Sequence, residues 1–101
     1  MFIVIWEYQV KIEKQSAFEK IYSASGVWAE LFQKGSGYLG TELIRSAEHS
    51  DQYITIDRWT SLEAYETFLL RWKEEYQKLD LMCEGLTGQE RCLGRFGPVL
   101  S

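Results

Sequence analysis

The chain has 101 residues, the size of one domain spanning 1–101, and a domain this small buries only roughly 60–70% of the surface its unfolded form exposes. Its net charge is -4 and its 11 Lys and Arg residues gather in no run, so the footprint of a nucleic-acid binder is missing. Hydrophobic residues make up 46% and aromatics 15%, more large apolar surface than one small core hides, which calls for a second covering layer, most simply another copy of the chain.

Phe2 to Val10 reads as a strand, rich in β-branched and aromatic residues. Phe2, Val4, Trp6, Tyr8 and Val10 share one face, while Ile3 and Ile5 occupy the other before Glu7 and Gln9 turn it polar, the pattern of a central strand. The apolar run Phe2–Trp6 has no basic leader and is far short of the roughly 20 residues a membrane span needs. Neither membrane insertion nor secretion is expected.

Phe18, Ile21, Tyr22, Trp28, Leu31 and Phe32 follow helical spacing, with Ser16 and Glu19 placed as a capping box. Gly26 costs about 1 kcal/mol inside a helix and predicts two helical pieces joined there. Gly35-Ser36-Gly37 hands over to strands at Tyr38–Arg45 and Gln52–Trp59, joined as a hairpin by a polar turn containing His49. Thr60 and Glu63 can cap the next helix, in which Leu62, Tyr65, Phe68, Leu69, Trp72 and Tyr76 recur at helical spacing; it runs up to about 24 residues, roughly 36 Å, and stops at Gly85. Gln89–Phe96 supplies a last strand, ended by Gly97-Pro98. Cys83 and Cys92 have no companion cysteine or histidine pair, so both read as reduced thiols with no metal site, and the cytoplasm is the expected compartment.

The order β-α-β-β-α-β defines the expected fold: an α+β, ferredoxin-like domain whose four-stranded antiparallel sheet carries its helices on one face. On the third strand Tyr53, Thr55, Asp57 and Trp59 oppose Ile54, Ile56 and Arg58, so neither face is plainly polar. A sheet open to water shows one polar side; the helix-free face is therefore expected to pack on a partner sheet as a homodimer.

Gly37-Tyr38-Leu39-Gly40-Thr41-Glu42-Leu43, a short turn, Tyr53-Ile54-Thr55-Ile56-Asp57-Arg58-Trp59 and the helix opening Ser61-Leu62-Glu63-Ala64-Tyr65 resemble the antibiotic biosynthesis monooxygenase family. The resemblance spans nearly the whole chain in element order, but its motif is short and defines a fold more than a chemistry. It implies a dimeric α+β barrel in which each copy holds a pocket between sheet and helices, lined from Trp6, Tyr8, Trp28, Phe32, Trp59, Tyr65, Phe68, Trp72 and Tyr76. For each of these aromatics ordinary core packing is the favoured reading, because helical spacing of apolar residues is what any core helix shows.

Monooxygenases of this family need no metal or flavin, because an electron-rich phenolic substrate reacts with oxygen once deprotonated. The resemblance thus implies no cofactor and an aromatic or quinol-type small molecule as substrate. Arg58, Tyr65 and His49 are the candidate catalytic residues, with Arg45 and Tyr53 beside them, although His49 sits in a polar turn where an idle, exposed imidazole is expected. Haem-degrading relatives use a strand asparagine and a helical histidine and tryptophan; this chain has no asparagine, its one histidine is in a turn, and only Trp72 has a counterpart. Phe68 stands where several relatives carry a histidine. Three readings stay open, the first two being a cofactor-independent monooxygenase and a non-catalytic protein that binds a hydrophobic small molecule. A lyase, isomerase or stress-related protein of the same dimeric fold is a third.

Overall fold

The computed structural model describes residues 1–99. β1 (Phe2–Gln9) leads through a 3-10 turn to α1 (Gln15–Tyr22) and α2 (Val27–Phe32); β2 (Tyr38–Arg45) and β3 (Gln52–Trp59) form the hairpin; α3 (Leu62–Arg71), α4 (Lys73–Met82), a second 3-10 turn and β4 (Gln89–Phe96) follow. The strands make one antiparallel sheet in the order β2-β3-β1-β4. This is the expected α+β, ferredoxin-like arrangement, with β1 central.

Register explains the core. Phe2 lies opposite Trp59, Val4 opposite Asp57, Trp6 opposite Thr55 and Tyr8 opposite Tyr53, so alternate residues of both strands meet on one face. The helices cover that face: Phe18 of α1 packs against Tyr8 and Tyr53, at 5.2 and 4.9 Å between ring centroids. Phe32 of α2 and Phe68 of α3 both reach Trp59, at 5.8 and 5.2 Å. Trp59 and Phe18 are fully buried, and such tilted and edge-on aromatic pairs add to the burial term.

Gly26 divides the first helical region as expected and starts α2; a Cβ there would stand 2.3 Å from the Ile21 carbonyl oxygen. Three local expectations are corrected. The Ser16/Glu19 capping box does not form, because α1 already begins at Gln15 without a side-chain cap and Glu19 instead accepts from Arg45 and Tyr53. Ser61, not Thr60, caps α3, its Oγ accepting from the Ala64 N–H at 3.1 Å. The long helix is interrupted at Trp72, whose φ of -113° and ψ of 26° leave the helical region, so that α3 packs on β3 while α4 packs on α2.

The helix-free face carries Ile5 opposite Ile56 and Ile54 opposite Ile44, with Phe96 opposite Ile3. Ile44 and Phe96 are 46% and 49% exposed. Ion pairs flank this apolar patch, Arg58–Glu42 at 2.7 Å and Arg91–Glu7 at 3.1 Å. Among the described residues no helix is long and apolar enough to cross a membrane.

Candidate functional site

Between sheet and helices lies a cavity walled by Trp6, Tyr8, Tyr22, Trp28, Phe32 and Tyr76. Its polar lining is Thr41, Thr55, Asp57, Asp80 and Glu90, with no basic residue. The free space is about 40 Å³, room for roughly three water molecules. Asp57 is buried, whereas Asp80 and Glu90 are exposed, so the carboxylates mark an inner and an outer end.

Strand alternation places Asp57 there: on β3 it points inward with Tyr53, Thr55 and Trp59, all buried. Its neighbour across the β2–β3 ladder is Thr41, whose Oγ donates to Asp57 Oδ1 at 2.6 Å. Thr41 has a single proton to give, so the Tyr38 hydroxyl, 2.5 Å away, is the donor in that second bond. The result is a directed chain from Tyr38 through Thr41 to Asp57. In a regular strand residues three apart point to opposite faces; here the register shifts between Tyr38 and Gly40, and Gly40 has φ of +133°. This bulge turns Tyr38 and Thr41 to the same side, a device common beside functional sites.

Burial raises the Asp57 carboxyl to about 6, against the opposing pull of the Thr41 hydrogen bond. Burial, and then the neighbouring Asp80, also raise Glu90. The phenols of Tyr8, Tyr22 and Tyr76 are raised chiefly by burial and stay neutral. Tyr8 OH and Thr55 Oγ share a hydrogen bond of 3.2 Å. Trp28 Nε1 is buried, and the Tyr22 hydroxyl and Cys83 thiol lie beside the Trp28 side chain, whose hydrogen bonding partly offsets the upward push of burial on both groups.

Of the aromatics singled out by sequence, Trp6, Tyr8, Trp28, Phe32 and Tyr76 come together around this cavity. Trp59 and Phe68 are buried in the adjoining core, and Trp72 lies half-buried beneath the Lys34 ammonium, 4.8 Å from its ring centroid. The three candidate catalytic residues do not meet. Arg58 projects from the opposite face of the sheet, paired with Glu42. Tyr65 packs on Phe2 and Trp59 at 5.5 and 5.6 Å, outside the cavity lining. His49 is exposed in its turn and borders a separate, open polar hollow with Glu7 and Arg91. Arg45 and Tyr53 bond to each other and to Glu19 beside α1. Among the described residues no three His, Cys, Asp or Glu side chains are grouped to hold a metal ion. Asp57 and Thr41 were missed as site residues, although a carboxylate alternating with Tyr53, Thr55 and Trp59 on one face was a visible signal.

The class these features define is an α+β protein with one antiparallel sheet, helices on one face, and an aromatic-walled cavity with a buried carboxylate beneath them. Residues 1–71 match the family described as antibiotic biosynthesis monooxygenase, and the chain belongs to that family. Its fold is similar to that of SnoaB, a cofactor-independent oxygenase from Streptomyces nogalater, with a TM-score of 0.70 at 17% identity over 99% of this chain and 94% of that one. Proteins sharing the family description from Deinococcus radiodurans (TM-score 0.74, 14% identity, 100% and 95% covered) and Bordetella bronchiseptica (0.72, 19%, 98% and 97%) are similar as well. Among curated proteins no sequence matches the chain.

Proposed function

We propose that the chain is a cofactor-independent monooxygenase acting on a phenolic or quinol-type aromatic, with Asp57 as its base. The observation that carries this reading is a buried carboxylate with a pKa of about 6 inside an aromatic-walled cavity. Such a group is ionised at neutral pH yet more basic than an ordinary aspartate, which suits it to proton abstraction. For a ring methylene activated by a neighbouring phenol, Asp57 takes one proton and the resulting anion gives one electron to O2. The radical pair combines to a peroxide, the proton returns from Asp57, and loss of water leaves a carbonyl. One oxygen atom enters the product, the other leaves as water, and every electron comes from the substrate. The aromatic walls hold the flat ring and keep water out. Because the free space is small, a ring system enters only as the half-buried Trp6 and Tyr76 swing aside.

A second copy completes the account: two helix-free faces closing on each other would cover the isoleucine patch and form a homodimeric barrel. Oxygen uptake with a panel of anthrones and hydroquinones tests the chemistry. Uptake by the wild type, reduced about 100-fold or more in Asp57→Asn, is expected of a lost general base. The absence of a basic residue from the lining, which leaves a substrate anion without a cation, favours a second reading, ligand binding without turnover; tryptophan quenching by the same compounds without oxygen uptake would assign the cavity to that role.

A further inference from the structure

Hydroxyl donors in the cavity wall can be counted proton by proton. Thr41 spends its one hydroxyl proton on Asp57 Oδ1, and Tyr38 spends its own on Thr41. Tyr8 and Thr55, both in the lining, are different. Their oxygens stand 3.2 Å apart and share a single hydrogen bond, in which either can donate. Two hydroxyls carry two protons, and that bond uses only one. Neither hydroxyl has another acceptor among the described residues, so one O–H is left over, on Tyr8 if Thr55 donates and on Thr55 if Tyr8 donates. Tyr8 is 7% exposed and Thr55 4%; an unspent donor at that depth calls for an acceptor. Burial raises the Tyr8 phenol and so keeps its proton in place.

The place of this donor gives it a use. Thr55 and Asp57 alternate on the inward face of β3, roughly 6.6 Å apart along the strand. Thr41 already occupies Asp57 Oδ1, which leaves Oδ2 to act as the base. No Lys, Arg or His lines the cavity, so charge that develops on a substrate oxygen as Asp57 removes a proton meets no cation there, and a hydroxyl donor is the neutral group that can hold it. We propose that the Tyr8–Thr55 hydroxyl pair seats an acceptor oxygen of the ligand, so that the cavity takes aromatic ketones and phenols whose oxygen is conjugated with the carbon facing Asp57. This assignment rests on the reading of the cavity as the substrate site and adds where the substrate's oxygen lies. A hydrocarbon of the same shape would leave the O–H unmet.

Infrared spectroscopy of bound acetophenone, labelled with carbon-13 at its carbonyl, tests the assignment without reference to turnover, with ethylbenzene as the control of like shape. Proton number sets the outcome. Tyr8→Phe leaves Thr55 its proton and no partner, and Thr55→Val does the same for Tyr8, so each single variant keeps one donor while the double variant has none. The carbonyl band should lie below its frequency in hexane in the wild type and in both single variants, and return to the hexane position in the double. Acetophenone should bind about fivefold to tenfold more weakly to the double variant, and ethylbenzene equally to all four proteins. Both partners of the bond are then replaced by apolar groups of similar shape, so the double variant should melt close to the wild type. A hexane-like band in the wild type, which needs no variant to observe, would overturn the proposal, as would absence of saturable acetophenone binding, a shift lost in either single variant, or a shift that survives in the double. Oxygen uptake separates the two readings. A hydrogen-bonded carbonyl without oxygen uptake by anthrones leaves the oxygen seat standing and removes the oxygenase; uptake with a hexane-like carbonyl does the reverse.

Discussion

Placing the Asp57 carboxylate against aromatic walls raises its affinity for a proton, and the sign of that change fixes how stability varies with pH. The carboxyl moves from 3.8 to about 6 on folding, so between about pH 4 and 6 the folded state binds more protons than the unfolded one, and stability falls as pH rises through that window. At 1.36 kcal/mol per pH unit the loss is roughly 3 kcal/mol once the group is ionised. Asn at this position keeps an acceptor for Thr41 and carries no charge. Asp57→Asn should therefore be more stable than the wild type by roughly 2–3 kcal/mol at pH 8, and the advantage should vanish below about pH 4; urea denaturation at both pH values checks this, and equal stability at pH 8 contradicts it. The alternation that buries Asp57 was legible in Tyr53-Ile54-Thr55-Ile56-Asp57-Arg58-Trp59, and it also assigned Arg58 to the other face. Arg58 was singled out because an anionic intermediate calls for a cation. The chemistry expected of the family outweighed the geometry of the strand.

Among the elements, β2 departs from regularity where the site needs it. A Cβ on Gly40 would touch nothing within 4 Å, so the effect of a side chain there is conformational, through φ of +133°. Gly40→Val should cost roughly 1–3 kcal/mol and, by straightening the strand, part Tyr38 from Thr41. Tyr38→Phe removes the same donor and leaves the backbone alone. Chemical denaturation separates the two: the first should be destabilised more than the second, and a fully stable Gly40→Val would show that the bulge is incidental. At the start of α3, Ser61→Ala should lose about 1 kcal/mol and Thr60→Ala less, since Ser61 alone satisfies the Ala64 N–H; equal losses would contradict the cap. The strands and the break at Gly26 were readable because β-branched runs and glycine act locally. The break at Trp72 was not, because neither glycine nor proline marks it. The glycine bulge was also hidden, since a register shift depends on the partner strand.

For the whole molecule, the sheet's two apolar faces were visible in the sequence, whereas the closeness of the cavity walls emerged only from packing. If the patch of Ile5, Ile44, Ile54 and Ile56 is an interface, sedimentation equilibrium should give twice the 11.8 kDa chain mass, and Ile56→Lys should return the chain to one copy by burying an unpaired charge. A wild-type mass of one chain at micromolar concentration would remove the dimer. The claim on which the rest depends is that Asp57 moves the proton that starts oxygen chemistry. Oxygen uptake measured against pH tests it most directly: the wild-type rate should climb from pH 5 to 7 with an inflection near the carboxyl's value of about 6, and Asp57→Asn should lose both rate and inflection. Uptake in Asp57→Asn with the wild-type rate and pH profile would contradict the account.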